Sequence, residues 1–225
     1  MTNTVSTSRS QTTHKIVVTA MLIAVSYIAA LLSQLIPPVA GFLSYDPKDA
    51  VVAIGGFLYG PMTAVVISVI TSLIEMVTLS TTGVYGLIMN VISTCAFVVP
   101  AALLYKKLHN MKGAIGGLVL GMVAMTVSML LWNYIITPMY MGVDRSVVVG
   151  MLPTVFLPFN LIKSGINTGL TMVLYKPLVT ALRRANLVPA HEGKSGGSYH
   201  AGFAVLSLVV LATFVLLFLV FTGVL

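Results

Sequence analysis

Long apolar runs broken by short polar clusters dominate this chain, and the clusters mark the ends of helices. A first helix is predicted from Ile16 to Ile36, closed by Pro37 and Pro38. A connection through Gly41, Tyr45, Asp46, Pro47, Lys48 and Asp49 leads to a short second helix from Ala50 to Leu58, which breaks at Gly60-Pro61. The third helix runs from Met62 to Leu79, the fourth from Val84 to Tyr105 and the fifth from Gly113 to Ile136. Residues 138–150 read as a second substantial loop, and the sixth helix as Leu152 to Leu182. A polar linker then precedes a last apolar run, Ala201 to Leu225, which has no charged residue. The organisation expected is a polar leader at 1–14, a six-helix membrane domain at 15–187, a linker at 188–200 and an additional transmembrane helix at 201–225.

Composition narrows the class to an all-α integral membrane protein. The chain is 58% hydrophobic and 8% charged, against about a quarter charged in soluble domains. Its length allows six or seven spans of roughly 20 residues each. The net charge of +7 does not point to nucleic acid, because the basic residues sit in short clusters between apolar runs. Arg9, Lys15, Lys106, Lys107, Lys112, Lys176, Arg183, Arg184 and Lys194 fall on one side of the bilayer, and only Lys48 and Arg145 on the other. The positive-inside rule therefore puts the N-terminus in the cytoplasm and the connections at 37–49 and 138–150 outside.

Against this apolar background the few polar residues inside helices stand out. Asn160, Lys163 and Asn167, spaced three and four apart, share one face of the sixth helix. A lysine in lipid costs a few kcal/mol, so it faces a protein interior or a ligand. Asn133, beside Trp132, either anchors the fifth helix at the interface or joins the same site. Glu75, near the outer end of the third helix, is either an ion-pair partner of Lys163 or a ligand group. All lie in the outer half, which suggests a cavity open to the outside. With Lys163 taken as the only buried cation, the ligand is expected to be neutral.

Other chemistries find no support. Gly193-Lys194-Ser195 echoes the end of a phosphate-binding loop, but Val188 stands where that loop needs glycine. His14, His109, His191 and His200 form no pair at zinc spacing. Cys95 is a lone thiol in an apolar run and reads as a small packed residue. Neither catalysis nor a resident metal or cofactor is expected, and any ATP hydrolysis belongs to partner subunits.

Several stretches together resemble the substrate-binding S components of energy-coupling-factor vitamin transporters, and within them the riboflavin-specific branch. These are Tyr45-Asp46-Pro47-Lys48-Asp49, Gly55 to Pro61, Trp132-Asn133-Tyr134 and Phe156 to Lys163. The resemblance implies a prokaryotic plasma-membrane subunit that captures riboflavin from outside, and that works with a transmembrane coupling protein and two ATPase subunits. It implies that Asn133, Asn160 and Lys163 hydrogen-bond the isoalloxazine edge under a covering first outer loop. The chemistry agrees, because an amide offers both a donor and an acceptor to an imide edge. Tyr45, Phe156 and Phe159 are candidates to sandwich the ring. Asn167 and Glu75 complete the expected set of substrate contacts. Ala20 and Ala24, one turn apart on the first helix, match the small-residue pair with which such components dock on the coupling subunit. The alternatives are an S component for another small metabolite and a proton-coupled secondary transporter using Glu75. The final helix departs from the six-helix pattern. It is expected to be peripheral, because it offers few small residues for close packing, and dispensable for binding.

Overall fold

The computed structural model describes residues 2–185, 187–188 and 201–225, with side chains from Thr12 onward and, in the last helix, from Gly202. Expectations for Arg9, His191, Gly193 to Ser195 and His200 fall outside the described residues or side chains. The described chain is almost wholly helical: α1 (Thr2–Ser33), α2 (Lys48–Tyr59), α3 (Pro61–Thr78), α4 (Gly83–Leu108), α5 (Met111–Met141), α6 (Arg145–Met151), a π-helical turn (Leu152–Phe156), α7 (Leu157–Arg184) and α8 (Ala201–Phe221). Among the described residues, six helical stretches are long and apolar enough to cross a membrane. This is a multi-pass membrane protein.

Two boundaries differ from the sequence reading for a physical reason. Residues 2–15 contain neither glycine nor proline, and α1 extends through them instead of beginning at Ile16. The loop expected at 138–150 shrinks to 142–144, because α5 runs through Pro138 and α6 starts at Arg145. Proline loses one backbone bond in a helix, and membrane proteins tolerate that loss by local adjustment, as the π turn around Pro153 shows. Pro100 and Pro177 likewise lie inside α4 and α7.

At 12 residues α2 is about 18 Å long, too short to cross a hydrocarbon core of about 30 Å. It sits inside the bundle, against α1, α3, α4 and α7. Ala50, Val52, Ala53 and Ile54 are all fully buried. To reach its start, the connection at 34–47 must descend into the protein. That connection turns tightly, with the Val39 and Leu43 N–H groups each donating to the other's carbonyl at 2.8 and 2.9 Å. Gly60 joins α2 to α3 at φ +91°, a conformation that side chains rarely adopt, and Pro61 opens α3 where its missing N–H costs nothing.

The bundle closes on small residues. A Cβ added at Gly117 or Gly121 would lie 2.6 or 2.1 Å from the Ala101 or Phe97 carbonyl, so this ridge brings α5 into direct contact with α4. Gly165 and Gly169 of α7 receive α8 in the same way, against Phe214 and Leu211. The last helix is largely exposed, as expected of a peripheral element, yet its seat is tight. The glycines that make this seat lie on α7, so the composition of α8 alone does not reveal it.

Candidate functional site

A cavity of about 220 Å³ opens at the end of the bundle where residues 34–47, 79–82 and 142–144 connect the helices. Phe42, Leu43 and Ser44 line it from the first connection, and Ser80 to Thr82 from the second. Tyr85, Met89, Met129, Tyr140 and Phe159 supply aromatic and thioether surface. Asp46, Glu75, Asn90, Asn133, Asn160 and Lys163 supply the polar groups. A larger concavity, about 810 Å³, lies at the far end of α7, lined by Lys176, Pro177, Thr180, Ala181, Arg184 and Ala185. Those residues come from one stretch of chain and do not converge on a point. The smaller cavity, with polar groups arriving from several elements, is the candidate site.

Four expected residues, Glu75, Asn133, Asn160 and Lys163, meet at this cavity. Asn133 and Asn160 are buried, and each Nδ2 donates to the carbonyl one turn back, Met129 at 2.7 Å and Phe156 at 2.8 Å. In Asn160 that bond holds the amide in one orientation, with its second N–H and its carbonyl oxygen left to the cavity. Asn133 Oδ1 accepts from Thr137 at 3.0 Å, which fixes its orientation as well. Lys163 Nζ is 3.9 Å from Asp49 Oδ2, close enough for attraction but too far for a hydrogen bond.

Three others stand outside the lining. Asn167, one turn below Lys163, accepts from the Tyr45 hydroxyl at 3.0 Å and donates to the Asp46 carbonyl at 3.1 Å and to Asp49 Oδ2 at 3.3 Å. Tyr45 therefore turns away from the cavity, its ring 5.9 Å from that of Phe218 on α8. Phe156 is fully buried and backs the cavity at second hand, edge-on to Phe42 at 5.9 Å. The stripe on α7 thus divides: its upper members face the cavity and Asn167 clamps the start of α2.

Lys48 overturns one expectation. It is 1% exposed, more deeply buried than Lys163, so Lys163 is not the only buried cation. Glu75 pairs with Lys48 at 2.5 Å and not with Lys163. Lys48 also holds Asp46 at 2.7 Å, which makes it a bridge between two carboxylates that line the cavity. Asn90 donates to Glu75 Oε2 at 3.1 Å, and Thr94 to Asp49 Oδ1 at 2.6 Å. Glu75 Oε1 and Ser93 Oγ are buried without a protein partner among the described residues. Burial opposes the charge on Asp46, but Lys48 and then Lys163 outweigh it and hold the carboxyl below the usual carboxylate range. Burial, then Asp46 and Asp49, push the Tyr45 phenol up, so it stays a neutral donor to Asn167. In sequence, Asp46, Lys48 and Asp49 read as part of an outer connection, and Lys48 is not counted among the buried cations. Their alternating signs just before a short apolar helix were the one available hint of burial.

On the opposite half of the molecule, Ala20 and Ala24 are exposed on α1 together with Val17, Met21, Val25 and Ile28. This is an apolar, small-residue face that no part of the described chain covers.

Comparison with known proteins agrees with this architecture. The riboflavin transporter FmnP of Bacillus subtilis (strain 168) is 30% identical over 190 residues, covering 77% of this chain and 97% of that protein. The riboflavin transporter RibU of Streptococcus thermophilus is 30% identical over 180 residues, covering 76% of this chain and 85% of that one. RibU of Staphylococcus aureus is 23% identical over 180 residues. A solved structure of the S component of a bacterial ECF transporter superposes with a TM-score of 0.65 at 24% identity, over 76% of this chain and 98% of its own, and so shares the fold. The family model for the substrate-specific component of ECF transporters matches residues 14–175. With six helical stretches able to span a membrane and a polar cavity at one end of the bundle, the chain belongs to that family.

Proposed function

We propose that this subunit captures riboflavin at the cavity and passes it inward with partner proteins. The convergence of Asn133, Asn160, Lys163 and Glu75 on an aromatic-lined cavity carries the reading. A flat apolar ring needs aromatic and thioether surface, its imide edge needs paired donors and acceptors, and a polyhydroxyl tail needs acceptors such as Glu75 Oε1. The names of the relatives support the same ligand. Asp46, Asp49 and Glu75 against Lys48 and Lys163 leave no surplus of positive charge around the cavity, which favours a neutral ligand. The same Lys48 pairing makes Glu75 a poor proton carrier, and the family is one of transport subunits that depend on others.

The charge asymmetry supports a cytoplasmic N-terminus, with the cavity end facing outside. The open face with Ala20 and Ala24 suits docking of a coupling subunit, with two ATPase subunits supplying the energy. The tests are titration of the purified protein with riboflavin, followed by quenching of ligand fluorescence, and mass spectrometry of any yellow ligand that co-purifies. Saturable quenching is the expected result. Its absence in folded protein would direct the search to another small metabolite.

A further inference from the structure

The family match ends at residue 175, and 77% of this chain already accounts for 97% of the Bacillus protein, so α8 is an addition to the shared core. It meets that core along one stripe, Ser207, Leu211, Phe214, Phe218 and Phe221, at alternating steps of four and three. This is the spacing of two helices crossing at a shallow angle. Away from this stripe, Leu208, Val209, Leu216 and Val220 are exposed, as suits a lipid-facing surface. Gly165 and Gly169 set the register, because a Cβ at either would collide with Phe214 or the Leu211 backbone.

The upper end of the stripe reaches beyond α7. Phe218 packs on the ring of Tyr45, and Ile36 joins the same apolar cluster as Leu211, Phe214, Phe218 and Phe221. Ile36 and Tyr45 lie at the two ends of the segment whose Phe42, Leu43 and Ser44 line the cavity. At about 220 Å³ the cavity falls below the ~300 Å³ at which ligand pockets begin, so a three-ring ligand needs more room, which outward movement of the covering segment would supply. Whatever grips both ends of that segment resists the motion.

We propose that α8 is a built-in brace on the segment covering the cavity, with Phe218 positioning it through Tyr45, so that α8 sets how fast ligand enters and leaves. The inference rests on the cavity being the ligand site. A brace that favours the closed segment with or without ligand slows entry and exit together, so affinity changes little while exchange rates change.

The test uses the full chain in lipid nanodiscs, as the parent, Phe218→Ala, Phe214→Ala/Phe218→Ala and the ring-preserving Phe218→Tyr. Hydrogen exchange of residues 36–47, without ligand, reads the segment directly through the paired Val39 and Leu43 amides. Stopped-flow fluorescence then follows riboflavin release. Phe218→Ala is expected to speed both exchange and release by about two- to tenfold, the range for loss of one aromatic pair. The double variant goes further, Phe218→Tyr stays near the parent, and the dissociation constant moves by less than the rates. Unchanged exchange at 36–47 in folded Phe218→Ala and double variants would overturn the brace. So would a fall in affinity as large as the rise in release rate, which would make α8 part of the site's shape. If the parent does not bind riboflavin, the ligand reading fails, and the exchange measurement still decides whether α8 holds the segment.

Discussion

Two buried lysines stand beside one cluster of carboxylates and are held in different ways. Lys48, at the start of α2, has carboxylate oxygens at 2.5 and 2.7 Å, whereas Lys163, in the second turn of α7, has its nearest at 3.9 Å. A buried ammonium must be compensated. Lys48 obtains that compensation wholly within the protein, and it thereby ties the α1–α2 connection to α3. Lys163 lines the cavity with donor capacity to spare. The contrast separates a lysine that builds the site from one that is available to use it. Sequence context gives Lys163 to the ligand but places Lys48 in an outer connection and misses its burial.

Breaking the contrast at Lys48 has the largest expected effect. Lys48→Met leaves Asp46 and Glu75 buried and unpaired, and costs about 3–5 kcal/mol of stability. Thermal unfolding in detergent measures it, and Glu75→Gln added to Lys48→Met recovers part of the loss by removing one stranded charge. Lys163→Ala is the reciprocal case. It is expected to weaken riboflavin binding by at least about 1 kcal/mol, because ligand acceptors lose their donor in a dry site, while stability falls by less than in Lys48→Met. Equal binding by folded Lys163→Ala and parent would exclude this residue from the site. The clamp between the two regions is a smaller contribution. Tyr45→Phe removes the hydroxyl bond to Asn167 and keeps the ring on Phe218, so a loss of about 1 kcal/mol in stability is expected, read by the same melting curves. Ala20→Leu or Ala24→Leu touches neither lysine. Riboflavin binding is expected to stay at the parent level while cellular uptake fails, and parental uptake would move the docking face elsewhere.

Patterns within single segments were legible in the sequence itself. Apolar run length and sparse charge specify a helical membrane protein, because lipid leaves backbone groups no partners but one another. The three- and four-residue spacing of Asn160, Lys163 and Asn167 put all three on one face, and α7 presents them inward together. The side each one serves was not legible. Asn160 and Lys163 reach the cavity, while Asn167 is taken by Tyr45 and the start of α2, a chain segment more than a hundred residues away.

What only the tertiary structure decided shares one physical cause. In lipid both faces of a helix are apolar, so hydrophobic periodicity no longer marks the inside, and close approach is set by where glycine on one helix meets a large side chain on another. The seat of α8 on Gly165 and Gly169 is such a case. The burial of Asp46, Lys48 and Asp49 is another. A mixed-charge connector reads as solvent-exposed until a helix too short to span draws it into the bundle, where α3, α4 and α7 supply Glu75, Thr94 and Asn167 to satisfy it. Local sequence determined the helices and their polar groups, and the depth at which α2 begins determined which of those groups compensate one another and which remain for a ligand.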